Sequence, residues 1–223
     1  MSVQTEESAL RRMARDPVSR RKFIALGGGS AAAAFLAACG SSSSTTTTMA
    51  GGNAGGVEPV IEERFGKGDL GILNYALTLE YLETAFYADV AKSGLFKGPE
   101  LATIRKFGDE EAEHVKALTA AIKTSGGKPA AEPKTEFPLK SARSVLELAG
   151  TVENLGAAAY LGQATAIKSP AVLAEALSIH SVEGRHASAL NTLLGESITP
   201  DGAFAEPAKA ETVLEAVEPF IVG

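Results

Sequence analysis

Two Glu-x-x-His motifs sit in two halves of the chain that repeat one another. In the first half Glu80 is followed seven residues on by Tyr87, and Glu111 and His114 lie on the next helical stretch. In the second half Glu153 is followed seven residues on by Tyr160, and Glu183 and His186 complete the pattern. Glu80 to Glu111 is 31 positions and Glu153 to Glu183 is 30, so the halves align almost without a gap. Apolar residues recur one heptad either side of each glutamate, in the runs Leu73-Glu80-Tyr87, Ile104-Glu111-Leu118, Leu146-Glu153-Tyr160-Ile167 and Ala176-Glu183-Leu190. Residues seven apart share a helix face, so these four carboxylates belong to buried stripes and point into one core.

A buried carboxylate must be neutralised, paired or bound to a cation. The stripes carry no inward Lys or Arg at matching positions. Side chains at i and i+3 share a helix face, so a Glu-x-x-His pair can offer a carboxylate oxygen and an imidazole nitrogen to one ion. The expected constellation is Glu80, Glu111 and His114 for one ion and Glu153, Glu183 and His186 for the other, with carboxylates bridging. Mixed oxygen and nitrogen donors of this kind suit two metal ions, with iron first and manganese second, better than zinc. The competing reading is a metal-free bundle whose carboxylates share protons in pairs.

Four further residues bear on the site. Glu83 lies one turn from Glu80 and is its rival on the first helix; Glu80 takes precedence because Glu80-Tyr87 repeats Glu153-Tyr160. Tyr87 and Tyr160 are placed to hydrogen-bond the ligands of the opposite half from behind, or simply to pack in the core. His180 has Leu177 three positions before it and so lacks the motif, but it is one turn from Glu183; it is either a group behind the ligands, an extra ligand, or a core histidine satisfied locally. Glu110 and Glu113 fall off the apolar face and read as solvated charges. Gly184, inside a helix, costs about 1 kcal/mol against Ala, which either close helix approach or access to the site would explain.

Punctuation along the chain delimits four long helices. The first is expected from Asp69, as N-cap, to about Lys92, with Gly94 beyond its end. The second opens at Gly98-Pro99 and stops by Ser125-Gly126-Gly127. From there to about Lys140 the chain holds Pro129, Pro133 and Pro138. That extended segment is long enough to cross a bundle, which lets the second and third helices run parallel. The third begins near Ser141 or Ser144, with Ser144 and Glu147 as a capping box, and ends around Lys168. Ser169-Pro170 caps the fourth, which stops at Gly195. A short amphipathic stretch over 208–217 follows, and Val213, Leu214, Val217 and Phe220 are expected to cover the bundle.

Residues 1–38 read as an export signal. Ser19-Arg20-Arg21-Lys22-Phe23-Ile24 resembles the twin-arginine consensus and precedes a weakly apolar stretch too short and too rich in Gly and Ala to span a membrane. Leu36-Ala37-Ala38-Cys39-Gly40 resembles a bacterial lipobox, which makes Cys39 the lipidated first residue of the mature chain. Residues 39–56 are Ser-, Thr- and Gly-rich and read as a tether; 57–223 is the folded domain. Cys39 is the single cysteine, so disulfides and cysteine zinc sites are excluded. The net charge is −6. Without residues 1–38 it becomes −9, which argues against nucleic acid and suits cations. There is no P-loop and no dinucleotide fingerprint.

The segments LEYLETAFY, DEEAEHV, VENLGAAAYLG and EGRHASAL, within about 68–195, resemble the ferritin-like superfamily, closest to its exported branch that includes desiccation-related proteins. The resemblance implies an all-α, ferritin-like four-helix bundle: two antiparallel helix pairs, a long crossover between helices two and three, and here a short C-terminal helix. It also implies a di-iron or di-manganese site made of one Glu from each of two helices and Glu-x-x-His from each of the other two. Relatives include iron-oxidising ferritins, peroxide-reducing rubrerythrins and manganese catalases, so oxidase, ferroxidase or peroxidase activity is the leading expectation. A single cysteine rules out a four-cysteine rubredoxin module within the chain, and a lipid tether fits a closed storage cage poorly. The alternative is a non-enzymatic stress or surface-binding module. Expected partners are metal ions, small oxidants and the twin-arginine export machinery, with membrane contact only through Cys39, at the cell envelope or periplasmic face; the oligomeric state stays open, a dimer being one option.

Overall fold

The computed structural model describes residues 56–222. These form six α-helices: α1 (Pro59–Phe65), α2 (Gly68–Lys92), α3 (Gly98–Thr124), α4 (Ala142–Gln163), α5 (Pro170–Leu194) and α6 (Ala210–Val217), followed by a 3-10 turn at Glu218–Phe220. The export motif at Arg20 and Arg21, the lipobox Cys39 and most of the tether lie outside the described residues. None of the described helices is long and apolar enough to cross a membrane.

Four long helices make the bundle. α2 packs along α3 and α4 along α5 through the short connections 93–97 and 164–169, and the two hairpins meet through α2 against α4 and α3 against α5. The Pro-rich segment 125–141 is the long crossover the sequence predicts. It is held by the end of the chain: Thr135 and Ile221 form an antiparallel bridge, Glu136 N–H donates to the Phe220 carbonyl at 3.0 Å and Val222 N–H donates to the Lys134 carbonyl at 2.9 Å.

Helix ends depart from expectation in instructive ways. Asp69 does not cap α2. The N-cap position is Lys67, and the Asp69 carboxylate instead accepts from the backbone N–H groups of Lys168 and Ser169 at 2.8 and 2.7 Å. Two hairpins are thereby joined by one side chain. α4 ends at Gln163 rather than near Lys168, and a turn over 164–166 leads from it to the clamp. Its N-cap is Ser141, boxed with Ser144 rather than Ser144 with Glu147; Glu147 pairs with Arg143 at 2.8 Å. At the end of α5, Gly195 takes a left-handed φ of 77°, which an L side chain adopts only with strain.

The short helix α1 is absent from the sequence expectation. It is anchored by Glu58, whose Oε1 accepts from Gln163 Nε2 at 2.7 Å and from Ala210 N–H at 2.9 Å, tying α1, α4 and α6 together. Val213, Leu214 and Val217 of α6 are buried against the bundle, and Phe220 is half-buried.

Two apolar clusters fill the interior. One contains Ile72, Leu73, Leu77, Leu79, Leu118, Ile122 and Ile179; the other contains Phe86, Val90, Phe96, Ile104, Phe107, Val145 and Leu190. Burying a large aliphatic or aromatic side chain contributes roughly 1.5–3 kcal/mol. Along each bundle helix the glutamates fall between the two clusters, so a polar layer lies at mid-bundle with apolar layers at both ends.

Candidate metal centre

Five carboxylates and two imidazoles make that polar layer. Glu80, Glu111, Glu153 and Glu183 are all 0% exposed, Glu83 is 3% and His186 3%. α2 contributes Glu80 and Glu83, α3 Glu111 and His114, α4 Glu153, and α5 Glu183 and His186. The structure therefore brings together all six residues of the expected ligand set.

Each histidine faces the layer through Nδ1. His114 Nδ1 lies 2.7 Å from Glu111 Oε2, 3.2 Å from Glu80 Oε2 and 3.4 Å from Glu183 Oε1. His186 Nδ1 lies 2.8 Å from Glu111 Oε1 and 3.2 Å from Glu153 Oε2. Two sets of donor atoms could each hold an ion, with all atoms of a set within 4.8 Å of one another: Glu80, Glu111, His114 and Glu183, and Glu111, Glu153, Glu183 and His186. Glu111 and Glu183 belong to both, which makes the Glu-x-x-His glutamates the shared carboxylates.

Behind the donors the two tyrosines cross between hairpins. Tyr160 Oη on α4 donates to Glu80 Oε1 on α2 at 2.5 Å. Tyr87 Oη on α2 donates to Glu153 Oε1 on α4. Each leaves the other carboxylate oxygen facing the centre.

Three residues outside the six-residue set also bear on the layer. Glu83, the rival of Glu80 on the first helix that the sequence would also place behind the ligands, stands in the layer with it: a Cβ built at Gly156 would meet Glu83 Oε1 and Glu183 Oε2, each at 2.9 Å, so both carboxylates occupy space that only a glycine leaves open. Of the three options for His180 the structure favours the locally satisfied histidine, since its Nδ1 is engaged 2.9 Å from the Ala157 carbonyl on the α4 backbone. Glu110 is not merely solvated. Its Oε2 sits 2.9 Å from His186 Nε2 while Oε1 pairs with Lys106. Glu113 is exposed and pairs with Lys116 at 2.7 Å, as its position off the stripe predicts. Close helix approach does not explain Gly184, since a Cβ there would meet nothing within 4 Å.

The electrostatics are those of a site built for positive charge. Burial raises Glu80 to about 7 despite its bonds from His114 and Tyr160. Burial, reinforced by the neighbouring carboxylates, pushes Glu83 and Glu183 well above the usual carboxylate range, and Glu153 is raised as well. Glu111 goes the other way: burial would raise it, but the two imidazoles outweigh burial and hold it down to about 2. For the histidines burial favours the neutral form and the surrounding carboxylates overcome it, lifting His114 to about 12 and His186 to about 11. Without a cation, protons do the neutralising.

A fold-family model for the ferritin-like domain matches residues 68–196, more than half of the chain. This chain belongs to the ferritin-like family. The matched span starts with α2 and ends just past α5, so the ferritin-like domain is the four-helix bundle and includes every residue of the polar layer. A crystal structure of a conserved hypothetical protein from Mycobacterium tuberculosis is similar, at 18% identity and a TM-score of 0.50, covering 63% of this chain and 95% of that one. At that identity the likeness concerns the fold alone. Comparison with curated proteins gave no match. Within the ferritin-like domain, the Glu and His clusters could hold metal ions.

Proposed function

We propose that this chain is an extracytoplasmic di-metal carboxylate protein, redox-active toward Fe(II), dioxygen or peroxide. One observation carries the reading. Glu111 Oε1, Glu153 Oε2, both Glu183 oxygens and His186 Nδ1 are buried polar atoms with no aligned hydrogen-bond partner, and all belong to the two donor sets. Orphaned buried polar atoms are costly. Cations accept lone pairs from carboxylate and imidazole together, so the residues present fit a metal pair.

Glu80, Glu111, His114 and Glu183 would hold one ion and Glu111, Glu153, Glu183 and His186 the other. The donor chemistry favours iron, then manganese. Such a pair supplies two-electron chemistry on small oxidants. The chain's own residues do the rest. Tyr160 and Tyr87 fix the orientation of Glu80 and Glu153. The apolar clusters on either side keep bulk water out. Loading displaces the protons held on His114, His186 and the raised carboxylates. Glu83, buried beside Glu183, is a further carboxylate able to carry a proton close to the reacting atoms.

The twin-arginine motif at Arg20 and Arg21 supports export of a chain already folded, and Cys39 supports lipid anchoring at the envelope, with the tether letting the bundle stand off the membrane.

The test is elemental analysis of the purified chain. About two irons or manganeses per chain, lost together in Glu111→Ala or Glu183→Ala, is the expected result, followed by turnover of Fe(II) or peroxide. A folded wild-type protein that takes up neither metal on reconstitution would refute the reading.

A further inference from the structure

The two halves of the site repeat in sequence but differ in what stands behind their histidines. With Glu111 aligned on Glu183 and His114 on His186, Glu110 aligns with Val182 and Phe107 with Ile179. The first half thus carries a carboxylate and an aromatic ring that the second replaces with aliphatic side chains.

Both extra groups act across the bundle on His186. Glu110 reaches from α3 to bring Oε2 within 2.9 Å of His186 Nε2, and Lys106 holds its other oxygen. Phe107 stacks on the same imidazole at 4.1 Å between ring centres and 26° between planes. His186 is therefore fixed at its outer nitrogen and on one ring face, with Nδ1 left facing the carboxylates of the layer. His114 is engaged at Nδ1 by the carboxylates, and among the described residues no hydrogen bond holds its Nε2. Its side chain is 12% exposed against 4% for His186. The tyrosine bonds to Glu80 and Glu153 are matched between the halves, so they do not create the difference.

A carboxylate at the outer nitrogen of a ligand histidine keeps the proton there, leaves the inner lone pair free and fixes the ring. His114 must settle its tautomer and its ring orientation when an ion arrives. We infer that the two cation positions are unequal: the position of Glu111, Glu153, Glu183 and His186 binds tightly and fills first, and that of Glu80, Glu111, His114 and Glu183 exchanges its ion with solvent. Glu110 is the positioning residue that sets them apart. The inference rests on the di-metal reading, and the exchanging position is the one at which a divalent ion would enter as substrate.

Titrating Mn²⁺ into the metal-free full-length chain by calorimetry tests it. The wild type is expected to show a tight and a weak phase. Glu110→Ala should weaken the tight phase about 10–100-fold and leave the weak one in place, while Glu110→Gln, whose amide oxygen still accepts from Nε2–H, should retain most of the affinity. Crystals soaked with less than one equivalent of Mn²⁺ should show the anomalous peak on the His186 side. Two ions of equal affinity, equal weakening of both phases in Glu110→Ala, or a first peak beside His114 would overturn the inequality while leaving the di-metal reading standing. A wild-type chain that binds no Mn²⁺ and no iron would overturn both.

Discussion

Tyr160 on α4 donates its hydroxyl to Glu80 on α2 at 2.5 Å, so the first donor set depends on a helix that contributes none of its ligands. Tyr87 returns the relationship by bonding Glu153. Among the described residues neither hydroxyl has another hydrogen-bond partner, and each accounts for one oxygen of a fully buried carboxylate. Tyr160→Phe and Tyr87→Phe should each destabilise the metal-free domain by about 1–3 kcal/mol and weaken metal retention by about 10–100-fold. Thermal melts and competition with a chelator measure the two effects; a change in stability with unchanged metal retention would make the tyrosines packing groups only.

Metal binding and proton binding compete at this centre, so pH should move loaded and metal-free protein in opposite directions. In the metal-free fold Glu80 is raised from 4.5 to about 7 and His114 from 6.5 to about 12. Each holds a proton that the unfolded chain releases earlier. Their stabilisation is complete below the unfolded values and is lost as pH rises through the folded ones. Glu111, lowered to about 2, contributes above 4.5 and loses its contribution as pH falls toward 2. The metal-free domain should therefore melt highest on the acidic side of neutrality and lose stability from about pH 4.5 upward. The loaded protein should gain stability over the same rise, because fewer protons must be displaced. Melting curves across pH with and without chelator should diverge as pH increases, and parallel curves would contradict the competition.

Gly156→Ala separates folding from site geometry. An alanine suits a helix better than glycine by about 1 kcal/mol, but its Cβ would lie 2.9 Å from both Glu83 Oε1 and Glu183 Oε2. Those oxygens are the ends of flexible side chains and can move aside. The variant should fold with near wild-type helicity and melting temperature yet lose most of its bound metal by elemental analysis.

Asp69→Ala gives the complementary outcome. It removes the acceptor of the Lys168 and Ser169 N–H groups, far from the polar layer along α2. The expected cost is about 1–3 kcal/mol of stability, read as a lower denaturation midpoint, with metal content unchanged.

Heptad spacing made the bundle legible because a buried glutamate must share the stripe of the apolar residues two turns away, and the doubled Glu-x-x-His then named the facing helices. Glu83 was legible as the rival of Glu80 but not as sharing the layer with it, since its place depends on the space left by Gly156 on another helix. Glu110 was misread because lying off the stripe of α3 was taken to mean facing solvent, whereas at the margin of a bundle it means facing the edge of α5, where His186 stands. Asp69 was misread for a similar reason: a carboxylate at a helix start satisfies nearby N–H groups, and the nearest ones here come from a connection about a hundred residues away in the chain. Local pattern identifies which face is buried; it does not identify what a side chain at the boundary meets across the gap.

The bridge between Thr135 and Ile221 has a consequence for the order of assembly. Every glutamate and histidine of the polar layer has been synthesised once His186 is made, and both hairpins can form from then on. The crossover that joins them is fastened by residues 220–222, which are made after every one of those donors. A nascent chain thus holds all its metal donors before it can lock the hairpins in register, so synthesis of residues 220–222, rather than appearance of the last donor, is the event that lets the crossover be fastened.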